Sequence, residues 1–320
     1  MATAEHVSRR SVPQPGALAA SRRTVMIALV ANGLIAVAKL AAGLMTGSSA
    51  MLAEAAHSIA DTVNQAFLRV SLSLSTKDPT PEQPFGQGQE RFVWTLMAAV
   101  GMFLAGAAFA VGYGIFELLH PSESGGYIAA YVVLAIALVA EGSSWLRARR
   151  QTTAEAREAG RGIVEHVRRS RDPNVKMVLL EDTAALAGIV IAGAGLGLHQ
   201  LTGASAWDAG ASVLIGVMLM VVALAIARDS RQLLVGAAAQ PDERAAIERT
   251  IEEHPGIDKI HELLTLVLGP HALLVAARVD LHDNLESDDV ENLSSDIDEQ
   301  LRYAVPDVTE VFLDATPSRN

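Results

Sequence analysis

Residues 207–228 read WDAGASVLIGVMLMVVALAIAR, an apolar run with one acid near its start and one base at its end. At 1.5 Å per helical residue, about 20 residues cross the roughly 30 Å hydrocarbon core of a bilayer. Lipid offers no hydrogen-bond partner to backbone amides, so an isolated span of this kind must be helical. The stretch therefore predicts a transmembrane helix.

Five more apolar runs of similar length precede it. They lie near residues 24–46, 49–74, 91–119, 127–146 and 174–200. Half of the 320 residues are hydrophobic, and the mean hydropathy of +0.28 is high for a soluble protein. We therefore predict an integral, multi-pass, mostly α-helical membrane protein with a basic segment at 1–23 and a six-helix domain at 24–230.

The positions of Lys and Arg predict the orientation of the six spans. Three short connections, 46–48, 120–126 and 200–206, contain neither residue, whereas the other connections and the N-terminal segment are basic. Because basic loops stay in the cytoplasm, both termini are expected there. The basic linker at 147–173 is interpreted as an orientation signal exposed to solvent, with contact to anionic lipid or a partner as the alternative.

The chain changes character after Gln240. Its last 80 residues hold 19 acidic and 6 basic side chains, whereas the first 240 are close to neutral. Apolar periodicity predicts helices near 242–253 and behind a cap at Ser287, and strands near 257–268, 273–281 and 308–313. The second helix carries an apolar stripe of Val290, Leu293, Ile297, Leu301 and Ala304. We predict a cytoplasmic α+β domain at 241–316 with αββαβ order and a ferredoxin-like fold.

A polar stripe runs through the second span. Residues 53–65 read AEAAHSIADTVNQ, and spacings of three and four place Glu54, His57, Asp61 and Asn64 on one helix face. Ionisable side chains inside spans are costly and commonly mark an ion pathway or a buried pair. A metal site is one interpretation of His57 and Asp61; an internal hydrogen bond or salt bridge, for example to Lys39, is the other.

The fifth span supplies further oxygen ligands in Glu181 and Asp182. An acidic first helical turn is the alternative for this pair, but three apolar residues precede it and place it deeper. Cysteine is absent, so a metal would be held by imidazole and oxygen. Lys39 is expected to snorkel or to pair with Glu117, and Glu141 to lie at the membrane interface.

These features together resemble the cation diffusion facilitator family of zinc transporters. The resemblance rests on six spans, the stretch from Ala53 to Asn64, the Pro84-Phe85-Gly86-Gln87-Gly88 loop, the Glu181-Asp182 pair and the αββαβ tail. It implies a homodimer that exchanges a cytoplasmic divalent cation for protons. Residue by residue, it implies His57, Asp61 and Asp182 as metal ligands.

Several positions depart from the family pattern. Val178 stands where the usual fourth ligand lies, so Glu181, water or another side chain would complete the site, and Gln83 replaces a histidine before Pro84. In the tail, His261 matches a metal-binding histidine of the family. Because its expected partners are replaced by Arg278 and Leu313, a structural role is favoured for His261. A substitute tail site is the alternative, built from His271, His282, Asp280 and Asp283.

The function predicted from the sequence is proton-coupled export of a divalent cation, Zn²⁺ in the first place, across a bacterial inner membrane. Cargo of Mn²⁺, Fe²⁺, Co²⁺ or Ni²⁺ is one alternative, because the ligands mix oxygen and nitrogen. A transport-deficient membrane scaffold that acts through its tail is another. The sequence shows no hydrolase or P-loop motif, so we expect no enzyme, no resident cofactor and no nucleic-acid partner.

Overall fold

The computed structural model describes residues 15–121, 125–282 and 285–316. All six predicted spans are helical: α1 (Pro15–Thr46), α2 (Ser49–Ser75), α3 (Glu90–Gly101) continued through a π-helical segment (Met102–Ala108) into α4 (Phe109–Leu119), α5 (Tyr127–Glu158), α7 (Pro173–Thr202) and α8 (Ala206–Gly236). A short helix, α6 (Ile163–Arg169), lies in the linker. The membrane domain thus has the predicted helical class, and α7 begins one residue before the predicted start of the fifth span near 174.

By length and composition, four helical runs within the described ranges are apolar enough to cross a membrane: α3 to α4, α5, α7 and the run that starts with α8. A shorter apolar helix, Asn32–Thr46, lies within α1. The helix α2 is not among the four, and it is the one that carries the stripe with His57 and Asp61. The low hydropathy of α2 therefore reflects its polar face.

Small residues allow the helices of the bundle to approach closely. A Cβ on Gly216 of α8 would lie 2.7 Å from the backbone nitrogen of Val111 and 2.9 Å from the carbonyl oxygen of Ala107. Within membranes, such close packing replaces the hydrophobic effect as the force that joins helices. The third span, which contains the π-helical segment, is thereby held against α8.

We expect Gly216→Ala to destabilise the folded protein by about 1–3 kcal/mol, because the backbone of the third span must move to admit the methyl group. Thermal unfolding in detergent measures the change. Gly210→Ala, on the same helix, is the matched control, since no atom lies within 4 Å of its Cβ position. Equal transition temperatures for the two variants would contradict the packing argument.

The carboxylate of Asp208 joins the N-termini of α2 and α8, at the end of the bundle away from the C-terminal domain. It accepts hydrogen bonds from Ser48 Oγ at 2.7 Å, Ser49 N at 2.6 Å and Ser49 Oγ at 3.0 Å. A carboxylate beside the free amides at the start of a helix is stabilising. Asp208 is 1% exposed, so this cap is an internal bond between two spans.

The C-terminal domain has the predicted αββαβ order: α9 (Pro241–Glu252), β1 (Ile257–Gly269), β2 (Ala272–Leu281), α10 (Ser287–Ala304) and β3 (Val308–Ala315). In the sheet, β2 pairs antiparallel with β1 and parallel with β3. Leu293, Ile297 and Leu301 of α10 are buried against it, whereas Ala304 is exposed. The cap prediction for α10 was off by one residue, because Glu286 is the N-cap and forms a capping box with Asp289.

The basic linker is helical over most of its length and docks on the C-terminal domain at a few residues, while about half of its side chains are exposed, in agreement with its interpretation as a solvated segment. The helix α5 continues 12 residues past the predicted end of the span, to Glu158. Asp242 of α9 accepts ion pairs from Arg161 at 3.0 Å and from Arg169 at 2.9 Å. The linker and the C-terminal domain carry opposite charge, so their attraction holds the basic linker against α9.

Candidate metal site in the membrane domain

The polar face of α2 points into the bundle. His57 is 2% exposed, and its Nδ1 makes no hydrogen bond within the described residues. Asp61, one turn later, accepts hydrogen bonds through Oδ2 from Gln65 Nε2 at 3.1 Å and Asn32 Nδ2 at 3.3 Å. The sequence prediction that these two side chains face the protein interior is consistent with this placement.

The acidic pair of α7 lies opposite this face. Glu181 is buried, and its Oε1 accepts a 2.7 Å hydrogen bond from Asn64 Nδ2 of α2. Ser144 of α5 hydrogen-bonds the carboxyl of Asp182, while Oδ2 of Asp182 is buried without a partner in the described chain. The carboxylates of Asp61 and Asp182 interact electrostatically. Three helices, α2, α5 and α7, therefore converge on one polar region.

The predicted ligands do not form a closed metal cage in this conformation. Across the described ranges, no group of three or more His, Asp or Glu side chains is arranged to hold an ion. Instead, the carboxamides of Asn32 and Gln65 donate hydrogen bonds to Oδ2 of Asp61, and that of Asn64 donates to Oε1 of Glu181. These bonds occupy one oxygen of each carboxylate, and the set of ligands stays a prediction.

Lys39 forms a buried ion pair that the sequence analysis assigned wrongly. Its Nζ lies 2.9 Å from Oε2 of Glu54 and 2.8 Å from Oγ of Ser58. Both charged side chains are fully buried, so Lys39 neither snorkels nor pairs with Glu117 as expected. The pair adjoins His57 and fixes α1 to the polar face of α2.

Space for this ion pair depends on a glycine. A Cβ on Gly188 of α7 would overlap Oε1 of Glu54. Gly188 therefore allows a charged side chain of α2 to lie against the backbone of α7. Its role could not be read from the sequence, where Gly188 is one of 25 glycines.

Glu141 is the main polar residue of the region that sequence reasoning misplaced. It was expected at the interface, but it is 9% exposed and interacts electrostatically with Asp61, Asp182 and Lys39. The signal was available in part, since Ala137, Glu141 and Ser144 share one helix face through their spacing. A charge on that face of α5 points inward.

The histidines of the C-terminal domain are dispersed among different carboxylates. His261 Nε2 lies 3.6 Å from Asp280 Oδ2, and His282 Nδ1 lies 4.0 Å from Asp258 Oδ1. Arg278 pairs instead with Glu262 at 3.0 Å and Asp314 at 2.9 Å. Asp283, part of the alternative tail site, lies outside the described residues. This arrangement favours a structural role for His261.

A charged cluster connects the linker to the C-terminal domain. Arg171, 9% exposed, pairs with Glu243 of α9 and lies 3.3 Å from Asp307, which precedes β3. Asp307 also lies 3.4 Å from Nδ1 of His271. Their hydrogen bond raises the pKa of His271 and holds the pKa of Asp307 below its usual range. The membrane domain and the C-terminal domain thus share a titratable contact.

This contact predicts a pH-dependent stability. The contribution of His271 is complete below the ordinary histidine pKa of about 6.5 and is lost as pH rises through its raised pKa. The contribution of Asp307 is complete above the ordinary aspartate pKa of about 3.9 and is lost as pH falls through its lowered pKa. The pair therefore stabilises at mildly acidic pH.

We expect His271→Gln to lower the melting temperature by about 1–2 °C at pH 6, a small change because the pair is exposed, and by less at pH 8.5. Differential scanning fluorimetry of both proteins at the two pH values measures this. In an Asp307→Asn background, the same substitution should show no such pH dependence. An effect that grows between pH 6 and pH 8.5 would contradict the assignment.

The fold and the polar region define a multi-pass membrane protein whose spans enclose a candidate cation site. The family model of the cation efflux transmembrane domain matches residues 25–235, and that of the cation efflux protein, cytoplasmic domain, matches residues 239–318. The chain belongs to the cation efflux family, which is a family of transporters. The family resemblance stated from the sequence is confirmed.

Relatives include the human "Proton-coupled zinc antiporter SLC30A9, mitochondrial", 33% identical over 91% of this chain and 52% of that protein. "Metal tolerance protein C4" of Arabidopsis thaliana is 31% identical over 83% of this chain and 58% of that protein. "Manganese efflux system protein MneP" of Bacillus subtilis is 23% identical over 93% and 96%. The chain spans about half the length of the SLC30A9 relatives it matches.

Proposed function

We propose that this protein exports a divalent metal cation, Zn²⁺ in the first place, from the cytoplasm in exchange for protons. The observation that carries the proposal is that the carboxylates of Asp61, Glu181 and Asp182 lie close enough to interact inside an apolar bundle, with the buried imidazole of His57 one helical turn from Asp61. Burying ionisable groups in lipid is costly unless they serve an ion pathway or a pair. The printed names of the SLC30A9 relatives support zinc and protons as the exchanged ions.

Protons and metal would compete for the same atoms. A metal ligand must be deprotonated, so binding of a cation releases protons from imidazole or carboxyl groups. Nδ1 of His57 and Oδ2 of Asp182, which have no hydrogen-bond partner among the described residues, can accept either a proton or a metal ion. The carboxylates of Asp61 and Asp182 would neutralise a doubly charged ion, which lowers the cost of holding it between the helices.

The proposal also covers the orientation, the oligomeric state and the membrane of the protein. The distribution of Lys and Arg supports cytoplasmic termini, and the domain model that matches residues 239–318 supports a cytoplasmic, dimer-forming tail. We propose a homodimer in a bacterial inner membrane. The bacterial origin of MneP supports a bacterial cell as the setting, whereas the SLC30A9 names point to mitochondria.

A transport assay on purified protein tests the function. Proteoliposomes that contain a zinc indicator and an imposed pH gradient should show zinc flux that collapses when an ionophore removes the gradient. Manganese is the specific rival cargo, because MneP is named for it and Val178 leaves the site short of one ligand. Manganese would replace zinc as the proposed cargo if two results were obtained. Mn²⁺ would inhibit zinc flux more strongly than Co²⁺, Fe²⁺ or Ni²⁺ does, and Mn²⁺ itself would be transported faster than Zn²⁺. No flux with any metal would favour the scaffold.

A further inference from the structure

A cleft opens beside the linker, where α5, α6, α7 and α8 meet. It has a volume of about 680 Å³ and is lined by Trp145 and Arg149 of α5, Val164 and Arg168 of α6, and Leu180 of α7, among others. We call it the linker cleft. Leu180 and Thr183, which flank the Glu181-Asp182 pair, line it, but none of the predicted metal ligands does.

The charge of the linker cleft is positive. Of its charged lining residues, Lys176 is neutralised by Asp229 at 2.9 Å. Arg149 and Arg168 are exposed and make no ion pair within the described ranges. The guanidinium of Arg149 stacks over the ring of Trp145 at 5.2 Å. Two guanidinium groups are therefore available to an anion at the mouth of the cleft.

Most of the remaining lining is apolar, with Thr183 and Gln232 as the polar exceptions, and it lies next to the lipid-facing part of the bundle. Val164 is 78% exposed, and its neighbours Ile163 and Val167 also line the cleft with apolar side chains. Leu180, one turn inside α7 from Lys176, is 39% exposed. Trp145, which donates to Thr183 Oγ1 at 3.1 Å, stands where tryptophan commonly marks the membrane interface. This apolar surface beside two cationic side chains fits a ligand that has both an apolar and an anionic part.

We propose that the linker cleft binds one anionic phospholipid, with its phosphate between Arg149 and Arg168 and an acyl chain along Val164 and Leu180. Charge complementarity selects the headgroup, since a zwitterionic lipid offers the arginines no net negative charge. Basic pockets between spans on the cytoplasmic side are known to recognise anionic headgroups. Bound lipid covers Val164 and joins α6, and through it the docked linker, to the membrane surface.

Tryptophan quenching by brominated lipid tests the site directly. The chain has three tryptophans, and Trp94→Phe with Trp207→Phe leaves only Trp145. In bilayers that mix anionic phosphatidylglycerol with zwitterionic phosphatidylcholine, the bromine is placed on one lipid or on the other. We expect stronger quenching by brominated phosphatidylglycerol at equal mole fraction.

Variants then assign the selectivity to the two arginines. Arg149→Gln and Arg168→Gln should each reduce the preference for phosphatidylglycerol about fivefold. Arg168→Gln is the cleaner probe because Arg149 touches the fluorophore. Arg150→Gln is the matched control, an exposed arginine on the same helix that does not line the cleft, and should leave the preference unchanged.

Three results would overturn the proposal: equal quenching by the two brominated lipids, no quenching by either because protein covers the cleft, or an equal effect of Arg150→Gln. If the single-tryptophan protein does not fold, native mass spectrometry of the unmodified chain gives a second measurement. Phosphatidylglycerol added to delipidated protein should be retained, and the Arg149→Gln, Arg168→Gln double variant should lose one bound molecule. Retention equal to that of the unmodified chain would also reject the site.

Discussion

Proton-driven zinc flux should fall at least about 100-fold when Asp61 is replaced by asparagine, because loss of even indirect support for a metal ligand commonly costs 10–100-fold. The substitution keeps the size of the side chain and removes the charge that would offset a divalent cation. Gln65 and Asn32 already lie against Asp61, so the amide can be accommodated. Flux into proteoliposomes, normalised to the amount of folded protein, measures the effect.

Matched substitutions separate a ligand from a general charge effect. Asp182→Asn should resemble Asp61→Asn, whereas Asp78→Asn, on an exposed loop, should transport normally. Glu181→Gln tests whether Glu181 supplies the ligand that Val178 cannot. If Glu181 completes the site, zinc flux should fall as far as with Asp61→Asn. Undiminished flux in both the Asp61 and the Asp182 variants would reject the candidate site.

Lys39→Met should destabilise the protein by about 3–5 kcal/mol, because it leaves the carboxylate of Glu54 buried without its partner. Both side chains are fully buried and 2.9 Å apart, so no water is at hand to replace the lost contact. Thermal or denaturant unfolding of the purified protein in detergent measures the loss. The effect should exceed that of Gly216→Ala.

The double variant Lys39→Met, Glu54→Gln should recover most of that stability, since it removes both charges together. Glu54→Gln alone leaves Lys39 buried without a counter-charge and is expected to destabilise as well. Additive effects of the two single substitutions would show that the pair is not coupled. The cycle reads stability only, so its outcome is independent of whether the protein transports zinc.

The positions of the spans and the order of the C-terminal elements follow from local sequence, and so they could be predicted. Apolar length sets the spans, and Asp172-Pro173 marks the start of α7. Periods of two and three to four residues distinguish strands from helices after residue 240. The docking of the linker on the C-terminal domain could not be predicted. It depends on ion pairs of Arg161, Arg169 and Arg171 with acids distant in sequence, which no local pattern reveals.

For the candidate site, the spacing of His57 and Asp61 was enough to predict an inward polar face on α2. Partners of buried charges were harder to predict, because the rotation of each helix about its axis is decided by packing. Lys39 meets Glu54 rather than Glu117 because Gly188 leaves room for that carboxylate. Glu141 faces inward for the same kind of reason. Metal specificity depends on a ligand arrangement that the sequence alone does not define.

The bonds from Asp208 to Ser48 and Ser49 have a consequence for how the bundle can move. They act as a fulcrum for α2 at the end remote from the C-terminal domain. At 1.5 Å per residue, Asp61 lies about 18 Å from this fulcrum and the last turn of α2 about 39 Å. A tilt of α2 about these bonds would therefore displace its last turn about twice as far as Asp61, so the C-terminal end of α2 can move while its N-terminal end stays joined to α8.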